Sequence, residues 1–152
     1  MCLSNSRQIE PIESGPLTAY KVVLKLTTKH PDFDKDRPKY MPAVFNLAYK
    51  GNYMEIGIEY VAKPQKHSAT DLLYYPGFHA VLNKKGIIQF FNTRYYKKPV
   101  VNMTESVLVE VTLKDMCAEG KDFSFGADIE NGKTMPTVAK VGKKQTILRE
   151  IM

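Results

Sequence analysis

The sequence has no tryptophan and only two cysteines, and no apolar run comes near the roughly 20 residues a membrane-spanning helix needs. Two cysteines, Cys2 and Cys117, exclude a disulfide scaffold, and neither lies in a Cys-x-x-Cys motif, so both read as reduced thiols. The opening MCLSNSRQIE lacks the basic start and apolar centre of a signal peptide, which predicts a protein that is intracellular or released by lysis, with no membrane partner. A further absence is local. From Leu72 to Thr104 there is no Asp or Glu, while Lys84, Lys85, Arg94, Lys97 and Lys98 contribute five positive charges.

Apolar residues make up 43% of the 152 and charged ones 25%, the balance of a folded domain with one core. The net charge of +6 favours an acidic partner, either nucleic acid or an acidic protein surface. A second basic stretch carries Lys133, Lys140, Lys143, Lys144 and Arg149, and the acids fall mainly in the first half and between Glu105 and Glu130, so the second half should present at least one positive face.

Residues 1–16, with Pro11, Gly15 and Pro16, read as an extended N-terminal arm preceding a single domain over 17–152. Leu17 to Leu26 alternates as a strand, with Ala19, Val23 and the stems of Lys21 and Lys25 on one side and Tyr20 and Val22 on the other. Thr27 to Tyr53 carries Pro31, Pro38 and Pro42 without a sustained period, which predicts a long loop with one short element near Ala43 to Tyr49. Met54 to Ala62 reads as a strand with a bulge or close backbone approach at Gly57.

Pro76-Gly77 marks a turn, Phe78 to Leu82 a short strand, and Asn83 the cap of a helix whose face is Ile87, Phe90, Phe91 and Arg94. Ser106 to Leu113 alternates as a strand. Pro136 to Val141 and Gln145 to Ile151 read as two strands joined by a Gly142-Lys143-Lys144 hairpin turn. The sum is an α+β domain whose mostly antiparallel sheet packs on one principal helix.

The order AYKVV, MEIGIEY, PGFHAV, helix, VLVEV and TVAKVGKKQTILREI, spanning Tyr20 to Ile151, resembles an uncharacterised module of small phage and prophage-type proteins. The chain departs from that pattern at Val81, where the module has an aromatic residue or Cys, and at Gly142-Lys143-Lys144, where it has Ser-Lys. The module has no established activity. The resemblance therefore implies a phage or mobile-element origin and one coherent fold, and with them the cytoplasm of a host cell or association with a virion.

Candidate chemistry is sparse. His79 changes charge near neutrality in principle, yet no carboxylate or thiol sits at a spacing that would orient it, and a ring hydrogen-bonded to a turn carbonyl is the favoured reading. Cys2 would become an N-terminal nucleophile on removal of Met1, but no accompanying polar motif is present. Asp32, Asp34 and Asp36 imitate the start of an EF-hand loop, which then fails with Arg37 at its sixth position and Ala43 at its twelfth. No metal and no cofactor is expected.

FFNTRYYKKP, Phe90 to Pro99, mixes aromatics with cations as single-stranded nucleic-acid sites and protein hot spots both do. The favoured expectation is a non-catalytic binding module that meets a protein partner or assembly through Lys84, Lys85, Arg94, Tyr95, Tyr96, Lys97 and Lys98. One alternative is a nucleotide-dependent transferase using Tyr20, His79 and Glu110 on neighbouring strands. The other is a nucleic-acid-binding protein.

Overall fold

The computed structural model describes residues 4–42, 53–62, 77–94, 100–122, 128–130, 133–135 and 137–152. In chain order the elements are β1 (Ser4–Glu13), β2 (Leu17–Leu26), β3 (Tyr40–Pro42), β4 (Glu59–Val61), β5 (Phe78–Val81) and α1 (Lys84–Arg94). They continue with β6 (Val100–Val101), β7 (Thr104–Asp122), β8 (Asp128–Glu130), β9 (Lys133–Met135) and β10 (Thr137–Glu150). All pairings among these strands are antiparallel; eight strands share one sheet, and β8 and β9 form a separate hairpin. The described fold is thus a mostly antiparallel sheet with one helix.

The 19-residue β7 organises the sheet. One of its edges carries β10 from Val109 to Asp122. The other carries β2 over Thr104 to Leu113 and then β1 over Met116 to Lys121. The far edge of β10 takes β5 and β4, and β5 also reaches β2 through Tyr20 and Val81. The pairings β2–β7–β10–β5–β2 therefore close on themselves, and closure is what removes exposed edges from a small sheet. The segment expected as an extended arm supplies β1 and buries Ile9 in the core.

Alternation along β7 then explains two cores. Ala19 and Val23 of β2, Phe78 and Ala80 of β5, Val107, Val109, Val111 and Leu113 of β7 and Ile147 of β10 gather with Tyr40 and Met54 in one cluster. Val22, Val81 and Leu108, of the opposite parity, form the second with Ala139 and Val141, which lie on the other side of the register shift at Val141 and Gly142 from Ile147, and with Ile87 and Phe91 of α1. The helix starts where local chemistry dictates. Asn83 Oδ1 accepts the Gly86 N–H at 3.0 Å and the Asn83 carbonyl accepts that of Ile87 at 3.1 Å, so the predicted cap is present.

Two expectations are corrected. Gly142-Lys143-Lys144 is no hairpin turn: Thr137 to Glu150 is one strand, and the ladder shifts register at Val141 and Gly142, opposite the extra residue Cys117. Glycine suits the site because a Cβ at 142 would lie 3.1 Å from both Leu113 Cβ and the Lys114 carbonyl oxygen, closer than most such contacts. The strand at Met54 to Ala62 shrinks to Glu59–Val61. Gly57 (φ 82°) turns the chain, and Met54 makes only an isolated bridge with Tyr40. The long Pro-containing segment folds as turns over 27–37 and a short strand at Tyr40–Pro42; its expected element near Ala43 to Tyr49 lies outside the described residues.

The β6–β7 connection is a two-residue hairpin, with Val101 paired to Thr104 and both Asn102 (φ 53°) and Met103 (φ 62°) left-handed. That is the pattern of a type I′ turn, whose second position ordinarily belongs to glycine. A left-handed conformation costs a residue with a side chain roughly 1–2 kcal/mol. Met103 is held in it by Thr27, whose N–H (3.0 Å) and Oγ1–H (2.8 Å) both donate to the Met103 carbonyl.

Candidate functional site

Strand register brings the three candidate catalytic positions to one face. Tyr20 lies opposite Glu110 across β2 and β7, and opposite Val81 across β2 and β5. His79 shares the side of Val81, since the two pair with Val141 and Ala139 of the core beneath α1. Their side chains nevertheless belong to different contacts. Glu110 accepts from Arg149 through both carboxylate oxygens (2.9 and 3.5 Å), while the Tyr20 ring lies under the Lys84 ammonium at 5.8 Å.

His79 is half-buried, and its Nδ1 sits 3.2 Å from the Gly77 carbonyl oxygen. A carbonyl only accepts, so Nδ1 carries the proton. Burial pushes the imidazole pKa down to about 4, with the nearby Lys21 charge acting in the same sense. At neutral pH the ring is uncharged and too weak a base to be poised for proton transfer. Its contact with the turn carbonyl is the one the favoured reading expects.

The other candidates have local partners. The Asp34 carboxylate accepts the Asp36 N–H at 2.9 Å, and that of Asp32 accepts the Tyr53 hydroxyl at 2.6 Å. Among the described residues no group of three His, Cys, Asp or Glu is placed to hold a metal ion. Cys117 is buried, which raises its thiol pKa, and its Sγ lies 3.6 Å from the Val141 carbonyl; Cys2 lies outside the described residues.

Three of the five cations of the second basic stretch are matched to carboxylates. Lys140 pairs with Glu13 (2.8 Å) and Glu119 (3.8 Å), Lys144 with Asp115 (3.4 Å) and Arg149 with Glu110 (2.9 Å). Lys114, Lys25 and Arg37 likewise pair with Glu59, Glu150 and Glu55, and Arg7 with Glu119. Lys84 and Lys85 differ, as do Lys29 and Lys35 of the turn segment: all four are exposed, and none has a carboxylate partner among the described residues.

Lys84 and Lys85 also occupy the first turn of α1, where no acid is present. The N-terminal end of a helix carries partial positive charge, so each lysine there is unfavourable by about 0.3–1 kcal/mol. Arg94 ends the same helix, at the favourable pole, and Tyr95, Tyr96, Lys97 and Lys98 lie outside the described residues. Phe90 and Phe91, the first aromatics of the basic segment, are both buried and unavailable for stacking on a ligand.

A polar contact between β2 and β10 has little warning in the sequence. Lys21 shares a strand face with the fully buried Ala19 and Val23, and its ammonium donates to Gln145 Oε1 at 3.0 Å. The Gln145 amide in turn lies 3.5 Å from Met54 Sδ. Nearby, Glu150 accepts the Tyr40 hydroxyl at 3.0 Å and pairs with Lys25 at 2.9 Å; burial and that carboxylate raise the Tyr40 pKa. The only sequence signal for these contacts is the placing of Lys21 and Lys25 on the Ala19 side of β2.

No protein-family model, curated protein or solved structure matches the chain. No helix among the described residues is long and apolar enough to cross a membrane.

Proposed function

We propose that the chain is a small phage or mobile-element accessory protein that acts by binding, without catalysis, in the cytoplasm of its host or on a virion. Its partner is a protein or a larger assembly carrying carboxylates. The contact surface is the basic one that begins at Lys84 and Lys85 and continues through Arg94 into Tyr95, Tyr96, Lys97 and Lys98. In this reading α1 is the principal helix of an α+β domain, and the Pro-containing loop after β2 is a second region of contact.

One observation carries the reading. Most described basic residues of the sheet are matched to a carboxylate, whereas Lys84 and Lys85 are exposed, lack such a match and sit at the helix pole that disfavours them. Among the described residues the fold offsets this placement through the contact of the Lys84 ammonium with the Tyr20 ring at 5.8 Å, whereas an acidic partner would gain from both lysines. The transferase alternative is disfavoured by a neutral His79 bonded to a backbone carbonyl and by a Glu110 engaged with Arg149. The nucleic-acid alternative loses two of its stacking aromatics, Phe90 and Phe91, to the core.

The test is affinity purification of the tagged chain and of a Lys84→Glu, Lys85→Glu variant from cells that naturally contain it, with retained proteins identified and their binding then measured with purified components. A partner retained by the parent and lost by the equally folded variant is the expected result. Equal retention by both removes the proposed surface. An oligonucleotide bound with affinity that falls steeply with salt favours the nucleic-acid alternative instead.

A further inference from the structure

His30 is the pivot of the turns that follow β2. Its N–H donates to the Thr27 carbonyl and its carbonyl accepts the Phe33 N–H, both at 3.0 Å, while its ring Nδ1 accepts the Asp32 N–H at 3.0 Å. A side chain that accepts the N–H two residues further on is what Asp and Asn ordinarily supply in turns. The same segment contains that ordinary form, since Asp34 Oδ1 accepts the Asp36 N–H at 2.9 Å. At position 30 the bond is made instead by a ring that can take up a proton.

Nδ1 accepts only while it carries no proton, and imidazole gains its second proton between about pH 5 and pH 8, after which both ring nitrogens donate. The Asp32 N–H then loses its partner. Asp32 is held from two other directions: Lys39 Nζ donates to its carbonyl at 3.1 Å, and the Tyr53 hydroxyl donates to its carboxylate at 2.6 Å. The bond to Asp32 raises the Tyr53 pKa, so that hydroxyl keeps its proton where imidazole titrates. The Tyr53 ring meets the His30 ring edge to face, with centroids 5.9 Å apart, and lies 5.6 Å from the Lys39 ammonium. Asp32, Lys39 and the chain neighbour Lys29 are thus the charged groups next to His30, and among the described residues none is ion-paired with it.

We propose that His30 is a proton-operated latch on the segment between β2 and β3: uncharged, it closes the turn at Asp32, and charged, it releases that turn while adding a positive charge beside the exposed Lys29. The contacts of Tyr53 with Asp32 and of Asp34 with Asp36 do not pass through the imidazole, so the release is local. The other described histidine does not take part, because burial pushes the His79 pKa down to about 4. The latch lies in the Pro-containing loop read above as a second region of contact, and it stands whether or not that loop meets a partner.

The test is nuclear magnetic resonance of the full chain from about pH 8 to about pH 5, following the His30 ring together with the Asp32 and Asp36 amides and their exchange with water. The Asp32 amide should shift with the same midpoint as the His30 ring and lose about fivefold in protection, measured against an unstructured amide at each pH, as the loss of one ordinary hydrogen bond implies. The Asp36 amide should not follow the ring. His30→Asn, whose side-chain oxygen accepts the same bond at every pH, should keep the Asp32 amide protected and abolish its response. An Asp32 amide indifferent to the charge of the ring overturns the latch, and so does a response that persists in His30→Asn or that Asp36 shares in full.

Discussion

The Lys21 ammonium and the Gln145 side-chain oxygen meet at 3.0 Å between the first core strand and the last, 124 positions apart in sequence. Gln145 is 1% exposed, so removing the Lys21 ammonium leaves the Gln145 oxygen short of a bond in surroundings that exclude water, and removing Gln145 takes a bond from the half-buried ammonium. Gln145→Leu should destabilise by about 1–3 kcal/mol in urea unfolding, and Lys21→Met by a similar amount. The double variant should lose clearly less than the sum, because no group is then stranded. Strict additivity would mean that the two side chains do not support one another.

His79 predicts a pH dependence of known sign. Its pKa is about 4 in the folded chain and near 6.5 when unfolded, so the unfolded state binds the proton more readily as pH falls. The stabilising difference is intact above about pH 6.5 and is lost progressively between there and about pH 4, up to about 3 kcal/mol. His79→Gln removes that component. Denaturant midpoints at pH 7 and pH 4.5 should converge toward each other in the variant, and an unchanged gap would show that other groups set the acid sensitivity.

Two glycines separate what is local from what is not. Gly57 has open space where a methyl would go and needs only its positive φ, so Gly57→Ala should cost about 1 kcal/mol. At Gly142 the methyl would press on Leu113, the Lys114 carbonyl and the Lys144 carbonyl, all at 3.1–3.2 Å, and Gly142→Ala should cost about 1–3 kcal/mol. Thermal unfolding of the pair ranks them. A milder effect at 142 than at 57 would support the hairpin turn that the sequence suggests over the continuous strand.

That contrast shows why some of the fold was legible and some was not. The alternation of β2 and the Asn83 cap rest on neighbours a few residues away, and both can be read directly from the chain. The bulge at Gly142 depends on Leu113 and Lys114, and the closure of the circuit on one bridge between Tyr20 and Val81, pairings that no local pattern contains. The same limit applies to the site. The basic stretch from Lys133 to Arg149 looks positive in one dimension, but Glu13, Asp115 and Glu110 neutralise Lys140, Lys144 and Arg149 from other strands. The run without acids around α1 was visible from composition, and the absence of carboxylate partners for Lys84 and Lys85 among the described residues appears only in three dimensions.

The two lysines at the start of α1 should respond differently to charge reversal. Lys85 is exposed in the first turn with no contact among the described residues that offsets the helix dipole, so Lys85→Glu should stabilise the chain by about 0.3–1 kcal/mol at low salt. Lys84 has the same unfavourable position, but its ammonium lies over the Tyr20 ring at 5.8 Å, a contact worth about 0.5–1 kcal/mol at an exposed site. Lys84→Glu exchanges one effect for the other and should leave stability nearly unchanged. Unfolding at about 20 mM and about 500 mM salt separates the two, since the gain at Lys85 should fade with screening. A Lys85→Glu variant that is both more stable and poorer at retaining a partner would locate the function of that residue outside the fold; one that is less stable would show that the lysine serves the helix itself.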